Sequence, residues 1–119
     1  MKALLILALA GTVGVDAPAG TENEGDNSTL YDARCGGCHA LDAHRTGPSH
    51  AGLFGRRAGS APGFSYSPAL ARSGIIWNAD TLDRWLTNPE ALVPGQRMNY
   101  RVDDAQERAR IINFLKTAR

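Results

Sequence analysis

Residues 35–39 read Cys35-Gly36-Gly37-Cys38-His39, and the rest of the 119-residue chain falls into place around them. The pentapeptide is the C-x-x-C-H signature of covalent haem attachment. Its spacing has a physical reason. Tyr31, Cys35, Cys38 and His39 stand at i, i+4, i+7 and i+8, so on a helix they share one face. Two thiols on that face can add to the two vinyl groups along one porphyrin edge, and the imidazole of His39 then lies over the iron. Gly36 and Gly37 keep the backbone between the thiols free of bulk. Other uses of the motif fit less well. A structural zinc site needs four ligands, and the chain has no further cysteine. A thioredoxin-like dithiol needs a βαβ setting, which the flanks lack. A short-loop disulfide suits an exported protein but leaves His39 without a role. The expected cofactor is therefore one haem c, attached through Cys35 and Cys38, with His39 on the iron.

Upstream of the motif, Asp26 or Asn27 is a good N-cap for a helix that runs through Leu30 and Tyr31 into the cysteines. Residues 20–28 are polar, acidic and without periodicity, which predicts a flexible lead-in. Before them, Lys2 gives a positive start and Ala3 to Val15 carries no charge. That run is short for a membrane span and suits the apolar core of an export signal. Ala17-Pro18-Ala19 supplies a small-x-small cleavage site, so the mature chain should begin near Gly20, an uncleaved N-terminal anchor being the alternative. The expected organisation is a signal peptide over 1–19, a lead-in over 20–28 and one domain over 29–119. Location is expected to be periplasmic or otherwise exported.

Downstream, His44 to Phe64 contains Gly47, Pro48, Gly52, Gly55, Gly59, Pro62 and Gly63, a density of breakers that predicts loop wrapped around something. Ser67–Arg72 suits a short helix with Pro68 in its first turn. Asn78 can cap a helix over Ala79–Thr87, with Leu82, Trp85 and Leu86 at i, i+3 and i+4, and Asn88-Pro89 should end it. Asp103 or Asp104 can start a last helix carrying Ile111, Phe114 and Leu115. No run alternates like a strand, so the expected fold is all-α, with three to five helices and long loops. Hydrophobic residues at 43% and charged residues at 21% are ordinary for a globular domain. Thirteen basic and twelve acidic residues give +1, which lacks the basic excess of a nucleic-acid binder. A domain this small buries a limited core, so a haem would make up much of it.

One axial ligand leaves the sixth position of the iron open. After Met1 the chain has a single methionine, Met98, in Val93-Pro94-Gly95-Gln96-Arg97-Met98. A lone methionine is more often packing than ligand. This one sits in a Pro-Gly loop away from any apolar stripe, which favours the ligand reading. A thioether opposite histidine raises the reduction potential and closes the iron to substrates.

From Thr29 onward the chain resembles the class I cytochromes c, on the mitochondrial and bacterial cytochrome c2 side. The resemblance rests on the haem motif and on Arg45-Thr46-Gly47-Pro48, Gly52-Leu53-Phe54-Gly55-Arg56, Ala61-Pro62-Gly63-Phe64-Ser65-Tyr66, Gly74-Ile75-Ile76-Trp77, Asn88-Pro89 and Pro94-Gly95, in order and at family spacing. It implies that His39 is the proximal ligand, with its ring N–H held by the Pro48 carbonyl, and that Met98 is the distal ligand. It also implies that Arg56, Tyr66 and Trp77 lie at the haem propionates, Trp85 beside the methionine and Tyr100 near the exposed haem edge. Leu30 and Tyr31 would cross Ile111, Phe114 and Leu115. The chain departs from the family where Asn27 replaces a glycine at that helix crossing. His50 replaces an apolar residue, Gln96 replaces a threonine that bonds near the methionine sulfur, and Arg101-Val102-Asp103 lacks the usual glycine. His50 and His44 read as loop residues, hydrogen-bonded or solvated, although either could displace Met98.

The implied function is a one-electron carrier and not an enzyme, expected to act as a monomer. Eight arginines stand between residues 34 and 101 against Asp42, Asp80, Asp83 and Glu90, so a near-neutral chain can still present a basic face. Such a face steers toward acidic docking surfaces on an oxidase, reductase or dehydrogenase. The rival functions are a sensor or peroxidatic protein with a labile sixth ligand, and a haem subunit bound stably to one dehydrogenase.

Overall fold

The structure is a computed structural model and describes residues 24–119 together with Gly14. The expected export segment and residues 20–23 otherwise lie outside the described residues. Among the described residues five helices follow in order: α1 Glu24–Cys35, α2 Pro68–Ala71, α3 Ala79–Thr87, α4 Pro89–Leu92 and α5 Ala105–Thr117. The all-α expectation holds. Among the described residues the only β feature is one antiparallel bridge, Arg57 to Ile76, and no helix is long and apolar enough to cross a membrane.

Local chemistry accounts for three helices. Ser67 caps α2 by accepting from the Leu70 N–H, with Pro68 in the first turn. Asn78 and Thr81 form a reciprocal capping box on α3, and the Asp104 carboxylate accepts from the Gln106 and Glu107 N–H groups at the start of α5. Leu82, Trp85 and Leu86 are buried, as their spacing predicts. α4 was not legible as a helix. It is a single turn capped by the Asn88 side chain, folded back on the end of α3.

α1 begins earlier than its cap residues suggest. Residues 24–28, read as lead-in, are already helical. The cause lies in α5. Arg110 donates to the Asp26 carbonyl at 3.1 Å and pairs with the Asp26 carboxylate at 2.6 Å. It also donates to Asn27 Oδ1 at 3.2 Å. Asn27, only 7% exposed, is thus accommodated at the helix crossing by a partner from the other helix. Tertiary contact overrides local propensity here. Arg34 and Glu107 close the other end of the same crossing with two bonds of 3.0 Å.

The core fills the angle between α1, α3 and α5, with Tyr31, Leu82, Leu86, Ile111 and Leu115 at its centre and Leu30 and Phe114 packed at its edge. Loop backbone is tied down by non-local bonds: Gly47 N–H to Cys38 O at 2.8 Å, His50 N–H to Ala40 O at 2.9 Å, and Trp77 N–H to Arg56 O at 2.9 Å. These hold residues 40–77 as a wall around a central space.

Candidate functional site

That space is a cavity of about 560 Å³, within the range of roughly 300–1,000 Å³ typical of pockets that enclose a ligand. Cys35, Cys38, His39, Pro48, Arg56, Tyr66, Trp77, Trp85 and Met98 all line it. Residues separated by more than half the chain therefore meet around one void, with Leu53, Leu70, Leu82 and Leu86 supplying apolar wall. Leu53 and Leu70 are not legible as site residues in the sequence, because a single leucine in a loop or in the four-residue α2 carries no periodic signal. His50 and Tyr100 also line the cavity.

The attachment motif sits where α1 runs out. The N–H groups of Cys38 and His39 donate to the Cys35 carbonyl at 3.1 and 2.9 Å, a tight turn that keeps both sulfurs on the cavity side. The need for small residues is uneven. A Cβ on Gly36 would stand 2.5 Å from the Asp32 carbonyl oxygen, whereas one on Gly37 would meet nothing within 4 Å. The two cysteines are not bonded to each other; Cys38 is exposed and Cys35 half-buried. Burial, with Asp32 and Cys38 nearby, pushes the Cys35 thiol up to about 12. Arg45 donates to the Gly36 carbonyl at 2.6 Å and braces the turn from outside.

His39 projects from this turn, and its Nδ1–H donates to the Pro48 carbonyl at 2.8 Å. A carbonyl can only accept, so the bond fixes the tautomer and leaves the Nε2 lone pair free to ligate. Burial lowers the affinity of His39 for a proton, partly opposed by that bond, and a neutral imidazole is the form a metal requires. His50 stacks on His39, ring centroids 3.9 Å apart at 20°, and its Nδ1 shares a 2.9 Å hydrogen bond with the Tyr31 hydroxyl. Burial, His39 and Arg56 push His50 down to about 3, while burial raises Tyr31. Both partners stay neutral. His44 is engaged elsewhere, bonding the Pro62 carbonyl at 2.8 Å through Nε2 and accepting from the Ser49 N–H at 3.0 Å.

Opposite lies the methionine loop. Met98 is half-buried against the core and lines the cavity. Gln96 is buried but does not line the cavity. Its amide serves backbone, accepting from the N–H groups of Met98 and Asn99 at 2.6 and 3.1 Å. Where the resembled family carries a threonine near the methionine sulfur, this glutamine serves the loop backbone instead. Trp77 and Trp85 meet edge to face at 5.5 Å, and neither indole N–H has a hydrogen-bond partner among the described residues. Tyr66 accepts from the Ala61 N–H at 3.2 Å, so its own proton is free to donate. Arg56 donates to the Ser49 and Ala51 carbonyls at 3.1 and 3.4 Å, which fixes a cation at the cavity wall. A planar, largely apolar group with two acidic tails fits this lining: two thiols and one imidazole at one side, a thioether at another, and donors with a cation where acid groups would be buried.

Comparison with known proteins agrees. The family model for cytochrome c matches residues 26–119. Cytochrome c of Sesamum indicum is 38% identical over 107 residues, 87% of this chain and 95% of that protein. Cytochrome c 2.1 of Caenorhabditis elegans is 38% identical over 104 residues, 85% and 92% of the two chains. Among solved structures, cytochrome cH from Methylobacterium extorquens superposes with a TM-score of 0.75 at 33% identity, covering 80% of this chain and 98% of that one.

Proposed function

The chain belongs to the cytochrome c family, as a class I c-type cytochrome carrying covalent haem c, and from that membership we propose a one-electron carrier with His39 and Met98 as axial ligands. The single observation that carries the proposal is the convergence of Cys35, Cys38, His39 and Met98 on one cavity, with His39 Nδ1 committed to Pro48. The haem supplies the ferrous–ferric couple. The chain's residues do the rest. Cys35 and Cys38 anchor the porphyrin edge. Pro48 holds the tautomer of His39. Met98 would close the remaining iron position to substrates and favour the ferrous state. Arg56, Tyr66 and Trp77 offset the charge of the propionates, and Trp85 backs the methionine.

Cys38 and Tyr100 line the cavity and are both exposed to solvent, so electrons would enter and leave on their side. Arg45 braces the motif from outside, Arg97 and Arg101 flank Met98, and none of the three has a carboxylate partner among the described residues. They support docking to an acidic surface on a membrane oxidoreductase or dehydrogenase, in a small and transient contact. Residues 1–19 support export to the periplasm, the mature chain starting near Gly20.

The test is spectroscopic. Ferric protein should show the weak near-infrared band of sulfur-ligated haem, and ferrous protein should bind carbon monoxide poorly at neutral pH. Met98→Ala should abolish the band, lower the reduction potential and admit carbon monoxide. Wild-type protein that lacks the band and binds carbon monoxide readily would instead be a sensor or peroxidatic protein.

A further inference from the structure

Gln96 stands three residues past Val93, and its backbone N–H closes a turn onto the Val93 carbonyl at 3.1 Å. Its side chain turns inward and is 6% exposed. A buried primary amide is costly unless its two donors and its acceptor oxygen are engaged. Here every one is. Oε1 accepts from the Met98 and Asn99 N–H groups at 2.6 and 3.1 Å. Nε2 donates to Asn99 Oδ1 at 2.8 Å and to Glu90 Oε2 at 3.1 Å. The assignment of oxygen and nitrogen is unambiguous, because the reverse orientation would set an NH₂ against two backbone donors.

Glu90 extends the network outward. Its other oxygen accepts from the Gly95 N–H at 3.0 Å, so one carboxylate on α4 ties down both ends of the Gly95–Gln96 step. Asn99 closes the network on the far side in the left-handed region, at φ 45°, a conformation that asparagine tolerates better than most residues. The loop is thus cross-linked to α4 at Gly95 and Gln96 and to itself at Met98 and Asn99. Gln96 touches no part of the haem cavity.

We infer that Gln96, anchored by Glu90, is a positioning residue that holds the backbone of Met98 so that its sulfur stays on the iron. The inference rests on the reading of Met98 as the distal ligand. A ligand on a loop leaves the iron whenever the loop relaxes, and the occupancy of the bond follows the population of the closed loop. Side-chain bonds to the Met98 and Asn99 N–H groups raise that population without touching the iron. The substitution of glutamine in this position is what provides the reach: a shorter side chain cannot span from Glu90 to two backbone donors on the far side of the turn.

The experiment compares holoprotein of the wild type, Gln96→Leu, Glu90→Ala and Met98→Ala. It measures carbon monoxide affinity of the ferrous form, the near-infrared band of the ferric form, the reduction potential and the denaturant midpoint. Gln96→Leu should raise carbon monoxide affinity by about tenfold or more, the factor that one lost hydrogen bond of ordinary strength is worth, and should weaken the band. Glu90→Ala, at an exposed residue, should act in the same direction and less strongly, and it carries the test if Gln96→Leu fails to mature. If Met98→Ala opens the iron while Gln96→Leu and Glu90→Ala lower only the midpoint, the network is structural and the inference falls while the ligand assignment stands. If Met98→Ala changes neither band nor affinity, the ligand assignment falls and takes this inference with it.

Discussion

Gly47→Ala should damage the protein out of proportion to one methyl group. A Cβ at Gly47 would collide with His39 Cε1 and stand 2.6 Å from each ring nitrogen. Ordinary contact begins at 3.4 Å, so the ring nitrogens alone demand a retreat of about 0.8 Å and Cε1, closer still, demands more. Pro48 belongs to the same turn, so a ring pushed off Gly47 is pushed off the Pro48 carbonyl as well. The 2.8 Å bond is then stretched or bent out of hydrogen-bonding geometry. Leaving a buried N–H unpaired costs roughly 1–3 kcal/mol, and loss of a bond that orients a metal ligand typically costs about 10–100-fold in affinity for the metal. The less basic imidazole should also support ferric iron less well, so the potential should rise. The assay is haem incorporation, potential and denaturant midpoint of purified protein, with Gly37→Ala as the control. That control meets nothing within 4 Å and should stay within about 0.5 kcal/mol of wild type. A Gly47→Ala protein with full haem content, unchanged potential and unchanged midpoint would refute the argument from close approach.

Other substitutions test the frame and the attachment. Ile111→Ala empties a site that is 0% exposed between α1 and α5, and should cost about 2–5 kcal/mol in denaturant unfolding; a loss below about 1 kcal/mol would mean the crossing collapses freely. Arg108 is anchored by Asp83 at 2.7 Å and by the Val102 and Asp103 carbonyls at 2.9 and 3.0 Å, with its side chain 12% exposed. Arg108→Ala should therefore destabilise by about 1.5–3 kcal/mol, more than Asp83→Asn, because Asp83 is itself half-exposed; equal losses would reduce the cluster to a simple ion pair. Glu90 is held below the ordinary carboxylate value of 4.5 by the Gly95 N–H and Gln96. Its folded value lies below its unfolded one, so its contribution is full above about pH 4.5 and is lost as pH falls through the folded value. Glu90→Gln should flatten that part of an acid titration of stability, and an unchanged titration would show that the carboxylate contributes nothing. Haem should remain with the polypeptide in acidified organic solvent, and Cys38→Ala should retain at most one thioether; free haem in the extract of the wild type would end the attachment reading.

What the sequence determined by itself is what depends on neighbours a few residues apart. The attachment motif is legible from its order alone, although a tight turn after Cys35, where α1 ends, and not helical repeat brings Cys38 and His39 to the cavity, and α2, α3 and α5 start at Ser67, Asn78 and Asp104 because those side chains reach N–H groups two or three residues on. The family blocks also named the residues that turn out to line one cavity. Tertiary structure alone decided what depends on partners far along the chain. α1 reaches back to Glu24 because Arg110 holds Asp26 and Asn27 from 83 and 84 residues away. Gly47 must be glycine because the imidazole of His39 packs on it, not because its own backbone demands one. Gln96 looked in the sequence like a defect beside the methionine, and folding turned it into the tie that holds the methionine backbone. Capping and helical phase are short-range and can be read from order along the chain, whereas close approach and hydrogen-bond closure exist only once distant segments share the same volume.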